Sequence, residues 1–106
     1  MNQINTKFGL TSDTVQRIVA VFATFDVIER VVLYGSRAKG NYRSGSDIDL
    51  CLFGENIDLR MQYKILQALD DLLLPYQFDL TPYTTITNDE LKEHIQRVGI
   101  EIFHRQ

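Results

Sequence analysis

The sequence lacks the features that are typical of disulfide-rich proteins, membrane-spanning proteins and proteins that bind nucleic acid non-specifically. Its single cysteine, Cys51, excludes an intramolecular disulfide and a zinc site built from several thiolates. Its longest apolar run, VQRIVAVFATF, is shorter than the roughly 18 residues that a membrane helix needs, and it includes Arg17. The formal charge of −3 lacks the surplus of cations that non-specific nucleic-acid binding requires. We therefore expect a cytoplasmic protein that contacts neither a membrane nor nucleic acid directly.

What the chain does contain is typical of a folded domain. Hydrophobic residues make up 44% of it and charged residues 24%, a balance that supplies a core and argues against disorder. The length of 106 residues suits one domain, residues 1–106, with no second substrate domain. We expect residues 1–10 to be loosely ordered.

Three stretches have the apolar spacing of amphipathic helices. The first begins with Ser12 as its N-cap, and the second begins near Leu59 and is expected to end at Pro75. The third follows a T-x-x-E capping box formed by Thr87 and Glu90. Their apolar stripes consist of Val15, Ile18, Val19, Phe22 and Phe25 in the first helix, Leu59, Tyr63, Leu66, Leu69 and Leu73 in the second, and Leu91, Ile95 and Val98 in the third.

The remaining segments predict a small sheet. The strands are VVLY at 31–34, DIDLCLF at 47–53, YQFDLTPY at 76–83 and, after a C-cap at Gly99, a short edge strand IEIF at 100–103. The glycine- and serine-rich segment 35–46 is predicted to be a loop with at most one helical turn. This order of elements predicts an α/β (α+β) layer structure, with helices packed on a mixed sheet of three to four strands.

Two aspartates on one strand are the strongest chemical feature of the sequence. Asp47 and Asp49 point to the same face, about 6.6 Å apart along the strand, and carboxylates withdrawn from water need a compensating cation or hydrogen-bond donor. Magnesium fits because it prefers hard oxygen ligands. Asp79 lies in the middle of the next strand and would join them if the two strands pair. Three acids that converge on two metal ions are typical of an in-line displacement at phosphorus.

Blander interpretations of these acids remain open. Asp47 and Asp49 could belong to a polar strand face turned toward water, although Cys51 and Phe53 continue that face and would be unusual there. Asp79 could be a solvated acid on an edge strand. Cys51 has no neighbouring histidine to form a nucleophile pair, so we expect it in the core.

The loop that follows the first strand could receive phosphates. In GSRAKG, Gly35 lets the backbone approach a polyanion, and Ser36 and the backbone amides can donate to phosphate oxygens. Arg37 and Lys39 could neutralise the same phosphates. The spacing begins like a Walker A loop, but residues 41–42 are Asn-Tyr where Lys and Ser or Thr are required, which excludes a P-loop NTPase.

The joint arrangement is more specific than its parts. Gly35-Ser36, ten intervening residues and then Asp47-Ile48-Asp49 resemble the signature of the DNA polymerase β-like nucleotidyltransferase superfamily. The short chain and the segments GSRAKG, SDIDL and FDL resemble its minimal nucleotidyltransferases. Many of these are encoded beside a HEPN-domain ribonuclease and act as antitoxins, transferring AMP from ATP to a tyrosine of that toxin.

The resemblance implies a role for each candidate residue. Asp47, Asp49 and Asp79 are expected to be catalytic and to bind two Mg²⁺ ions, with ATP as the substrate. Nucleotide binding is expected from the loop residues Gly35, Ser36, Arg37 and Lys39. The expected partner is a HEPN-domain toxin that forms a complex with this chain.

Two other functions remain open at this point. One is transfer to a small-molecule hydroxyl such as that of an aminoglycoside, which needs a larger acceptor domain or a dimer. The other is a non-catalytic antitoxin that neutralises its toxin by covering it. The two histidines, His94 and His104, form no H-x-x-x-H pair, so we expect structural or surface roles for both.

Overall fold

The structure, a computed structural model that describes residues 6–106, contains a short hairpin, a four-stranded mixed sheet and four helices. The outer strands of this sheet are the last two along the chain, and the strand order is β5-β4-β3-β6. The elements are β1 (Thr6–Lys7), β2 (Leu10–Thr11), α1 (Ser12–Ala23), β3 (Arg30–Tyr34), α2 (Gly35–Lys39), β4 (Ile48–Phe53), α3 (Leu59–Asp70), β5 (Phe78–Pro82), α4 (Asp89–Val98) and β6 (Ile100–His104).

This architecture confirms the predicted fold class, with β6 as an edge strand. Strand β3 pairs antiparallel with β4 and β6, whereas β5 runs parallel to β4. Within the segment 1–10 that is expected to be loosely ordered, residues 6–10 belong to the β1–β2 hairpin, and residues 1–5 lie outside the described part of the chain. Within residues 6–106, no helix combines the length and the apolar character that crossing a membrane requires.

The sheet has an apolar layer on each face. One face packs against α1 and α3, where Phe22, Ile65 and Leu69 meet buried strand residues such as Leu50. On the other face, α4 contributes Ile95 to a smaller core. The alternation within β4 explains the division, because Leu50 points to the first layer and Cys51 to the second.

The helix ends differ in detail from the prediction. Thr11, rather than Ser12, caps α1 by accepting the N–H of Thr14 at 3.1 Å. Asn88, rather than Thr87, caps α4, because its Oδ1 accepts the backbone N–H groups of Glu90 and Leu91. In both cases a neighbouring residue with an equally suitable side chain occupies the extended N-cap conformation.

Helix α3 is shorter than predicted and presents a different face to the core. It ends at Asp70, five residues before Pro75, so the proline does not end it. Three residues of the predicted apolar stripe, Leu59, Tyr63 and Leu73, are 80%, 69% and 88% exposed, and the core instead receives Ile65. The apolar residues of α3 include Met61, Ile65 and Ala68 as well as its leucines, so their spacing alone does not determine which side faces the sheet, and Leu73 lies beyond the end of the helix.

Candidate active site

The three predicted acids lie together at one end of the sheet. Strands β4 and β5 pair in parallel with Asp49 opposite Asp79, and neighbouring strands are about 4.8 Å apart. Asp47, predicted to be the first residue of this strand, lies just before β4 begins, and it is near enough to Asp49 for its charge to act on that carboxyl. Asp47 and Asp79 are exposed, whereas Asp49 is half-buried. The sheet thus forms a row of carboxylates at the edge of the layer that α4 covers.

Asp49 is the half-buried member of this cluster. Burial, followed by the negative charges of Asp79 and Asp47, raises the pKa of its carboxyl from 3.8 to about 6. The two ion pairs among residues 6–106 are Arg30–Glu101 and Arg97–Glu93, so none of the three acids is neutralised by a basic side chain of the described region. A cation bound here would offset both the cost of burying the Asp49 carboxylate and its repulsion by the other two acids.

The donor set fits magnesium. Across residues 6–106, no three Asp, Glu, His or Cys side chains are close enough to enclose a metal ion by themselves. Magnesium does not need such a cage, because it commonly takes one or two carboxylates and completes its shell with waters and substrate phosphates. An open row of carboxylates without a basic partner is therefore suitable for metal ions shared with a nucleotide.

Gly35 lies directly over this row. Its φ of +76° is unfavourable for residues with a Cβ, and a Cβ at this position would overlap the carboxylate of Asp49. Its backbone N–H donates to Nε2 of His94 at 3.2 Å. Ser36 follows within the short helix α2 and is half-buried. The structure therefore brings the glycine–serine turn and the carboxylates together, as the sequence spacing suggested.

Arg37 is predicted to contact phosphate, but its side chain is buried in the structure. It is 2% exposed, and its guanidinium donates to the carbonyl oxygen of Ser46 through Nε and Nη2 and to that of Phe8 through Nη1, at 2.9–3.2 Å. The ring of Tyr76 lies 4.9 Å from the guanidinium carbon. Arg37 therefore ties the hairpin to the start of β4, and its side chain is not free to bind phosphate. Lys39, by contrast, is exposed at the end of α2.

Two residues that the sequence analysis did not select lie beside Asp79. The hydroxyl of Thr81 donates to Oδ1 of Asp79 at 3.3 Å, and the hydroxyl groups of Thr81 and Tyr34 share a hydrogen bond of 3.3 Å. Burial is the main cause of the raised pKa of Tyr34, so this phenol stays neutral and can donate. Strand alternation could have identified both residues, since Tyr34 pairs with Asp49 and Thr81 lies two residues after Asp79.

The prediction for Cys51 is confirmed, whereas His94 makes a contact that the sequence did not indicate. The prediction of a core cysteine is confirmed, because Cys51 is fully buried and burial raises the pKa of its thiol to about 12. His94 was expected to be a structural or surface residue, but its hydrogen bond to Gly35 places it against the candidate site. No local sequence pattern indicates this contact, because the two residues are 59 positions apart.

An open cleft of about 360 Å³ adjoins the carboxylates at the β5 edge. Asp47 and Asp79 line it together with two large exposed side chains of α3, Leu59 and Tyr63, which are 80% and 69% exposed. Gln62 donates to the carbonyl of Leu80 at 2.8 Å and so occupies part of this strand edge. The cleft thus combines acids at one end with apolar surface at the other.

Comparison with known proteins gives consistent matches. The family described as "Polymerase beta, Nucleotidyltransferase" matches residues 16–106. A candidate protein adenylyltransferase of Methanocaldococcus jannaschii is 30% identical over 80 residues, which are 73% of this chain and 81% of that protein. A candidate protein adenylyltransferase of Haemophilus influenzae, named MntA, is 30% identical over 74 residues, which are 69% of this chain and 64% of that protein.

Solved structures share the fold. A toxin–antitoxin crystal structure with AMP-PNP has a TM-score of 0.72 at 19% identity, covering 87% of this chain and 74% of that one. A tri-AMPylated Shewanella oneidensis HEPN toxin in complex with an MNT antitoxin gives 0.65 at 17% identity, covering 88% and 71%. A candidate minimal nucleotidyltransferase gives 0.67 at 24% identity, covering 91% and 96%. At such low identity these likenesses establish the fold alone.

Proposed function

Since this chain belongs to the polymerase β nucleotidyltransferase family, we propose that it transfers AMP from ATP to a hydroxyl group of a partner protein. The observation that carries this proposal is that Asp49 and Asp79 lie side by side on one sheet face, with Asp47 nearby and the Gly35 turn against Asp49. The names of the two curated relatives support a protein as the acceptor. The use of ATP and the single buried thiol favour a cytoplasmic location.

The three carboxylates divide the work of the reaction. Asp47, Asp49 and Asp79 would hold two Mg²⁺ ions, which would neutralise the charge of the triphosphate and of the transition state. Asp79 also accepts the proton of the acceptor hydroxyl. The acceptor oxygen then forms a bond to the α-phosphorus while the bond to the bridging oxygen breaks, and pyrophosphate leaves. Thr81 orients Asp79 through its hydrogen bond.

The phosphate-binding groups come from the start of α2. The hydroxyl of Ser36 and the backbone amides of Ser36 and Arg37 hold the β and γ phosphates. Lys39, exposed at the end of α2, contributes positive charge nearby. The side chain of Arg37 holds this segment in place by donating to the carbonyl oxygens of Ser46 and Phe8. It does not contact the nucleotide.

The acceptor approaches through the cleft beside Asp79. A protein that presents a hydroxyl there also covers Leu59 and Tyr63, which are unusually exposed for large apolar side chains. The S. oneidensis complex pairs an MNT antitoxin with an AMPylated HEPN toxin. We propose the same kind of partner here, with a toxin tyrosine as the acceptor and the chain acting as an antitoxin that forms a complex with it.

Mass spectrometry of the partner tests this function. The chain is incubated with ATP, Mg²⁺ and a HEPN-domain protein encoded beside its gene, and we expect the partner to gain whole AMP groups on tyrosine. Asp47→Asn and Asp49→Asn are expected to abolish the gain, whereas Asp70→Asn, an exposed acid at the end of α3, is expected to retain it. No added AMP with the wild-type chain would contradict the proposal. Neutralisation of the toxin that survives both site variants would instead indicate an antitoxin that acts by binding alone.

A further inference from the structure

His94 connects the last helix to the glycine turn of the site. Its Nε2 accepts the backbone N–H of Gly35 at 3.2 Å, and its ring meets that of Tyr34 edge-on with centroids 6.1 Å apart. Helix α4 packs on β3 and α2, so the imidazole enters from the side of the sheet that carries the acids. This is a specific contact between elements that are distant in sequence.

The contact depends on which ring nitrogen carries the proton. An imidazole nitrogen accepts a hydrogen bond only when it carries no proton, so this bond requires the Nδ1–H tautomer of His94. The opposite tautomer would set one N–H group against another. The structure therefore makes a prediction about His94 that can be measured without any substrate.

We propose that His94 is a positioning residue that holds the Gly35–Ser36 turn in the conformation that receives the phosphates of the nucleotide, an inference that rests on the proposed function. Gly35 has a φ of +76° and, as a glycine, can leave this conformation at little steric cost. The hydrogen bond to a side chain on another helix restricts that freedom. His94 acts through Gly35 and touches no substrate.

The same bond determines which amides remain for the nucleotide. Because the N–H of Gly35 is given to His94, the donors left in the turn are the hydroxyl and backbone N–H of Ser36 and the next backbone N–H. Loss of the imidazole acceptor releases the turn but leaves Asp47 and Asp49 unchanged. We therefore expect the KM for ATP to rise about three- to tenfold, with a smaller effect on kcat.

The test compares His94→Leu, which removes the acceptor, with His94→Gln, whose side-chain carbonyl can replace it. His104→Leu is the matched control, because His104 is exposed in the edge strand β6. Nitrogen-15 NMR of the two imidazoles gives the tautomer of His94, and amide hydrogen exchange at Gly35 reports the bond. Binding of ATP with Mg²⁺ and the KM and kcat of AMP transfer report its consequence, and thermal melting controls for folding.

The expected pattern is an Nδ1–H tautomer for His94 and a Gly35 amide that exchanges about three- to tenfold faster in His94→Leu. His94→Gln is expected to restore much of the protection and of the ATP affinity, and His104→Leu to resemble the wild type. An Nε2–H tautomer, or unchanged Gly35 exchange in His94→Leu, would overturn the inference. A wild-type chain that binds no ATP would refute the proposed function, while the NMR results would still decide whether His94 holds the turn.

Discussion

Replacing Asp49 by asparagine is predicted to stabilise the metal-free protein while it abolishes AMP transfer. Folding raises the pKa of this carboxyl from 3.8 to about 6, so between these pH values the folded chain binds more protons than the unfolded chain. The free energy of unfolding therefore falls as the pH rises from about 4 to about 6. Above pH 6 the folded state bears the full cost of the charged carboxylate, and the neutral amide of the Asp49→Asn variant removes that cost.

The size of the effect follows from the pKa difference. Raising the pKa from 3.8 to about 6 corresponds to about 3 kcal/mol, and solvent around a half-buried carboxylate reduces this to about 1 kcal/mol. For a domain of this size, 1 kcal/mol changes the melting temperature by about 4–8 °C. We therefore expect Asp49→Asn to melt about 5 °C higher at pH 8 in EDTA, with the difference vanishing toward pH 4.

Thermal melting with and without Mg²⁺ supplies the assay. Magnesium is expected to raise the melting temperature of the wild-type chain, because binding to the folded state alone stabilises it, and to have little effect on Asp49→Asn. Asp70→Asn removes an exposed carboxylate at the end of α3 and is expected to match the wild type throughout. Asp49→Asn that melts at or below the wild-type temperature at pH 8 in EDTA would refute the electrostatic reasoning.

Three further variants test other parts of the site. Gly35→Ala should abolish transfer because its Cβ displaces the carboxylate of Asp49, whereas Gly40→Ala, which has a positive φ but open space, should lose about 1 kcal/mol of stability and keep its activity. Leu59→Glu should raise the KM for the protein acceptor with ATP binding unchanged, and Leu73→Glu, equally exposed but outside the cleft, should have no effect. Arg37→Met should lower the free energy of unfolding by about 2–4 kcal/mol in urea melts, because it leaves the carbonyl oxygens of Phe8 and Ser46 without the donors of a buried side chain; an unchanged midpoint would contradict that role.

The placement of the acids could be predicted because it depends on strand geometry. Side chains two residues apart on a strand share a face, which predicts Asp47 close to Asp49, although β4 itself begins only at Ile48. The position of Asp79 needed one further assumption, that β5 pairs with β4, and the structure pairs them in register. The strands and the three longer helices followed from apolar periodicity for the same reason, since that pattern is local.

The errors lie where a choice depends on distant contacts. The basic residues of GSRAKG look alike in sequence, yet Arg37 is buried against the carbonyl oxygens of Phe8 and Ser46 while Lys39 remains exposed. Helix α3 offers more than one apolar face, and only the position of the sheet selects Ile65 over Leu59. The contact of His94 with Gly35 joins residues 59 positions apart, which no local pattern encodes.

The packing of α4 links the stability of the fold to the chemistry of the site. Ile95 of this helix packs with Val32, Tyr34 and Cys51, and this apolar layer lies on the sheet face that also carries Asp49. This apolar layer does not cover Asp47 and Asp79, which remain exposed. A site that is dry on one side and open on the other strengthens the attraction for a divalent cation without blocking its entry. The helix that completes the second core therefore lies on the same sheet face as the carboxylates that would bind a metal ion and nucleotide.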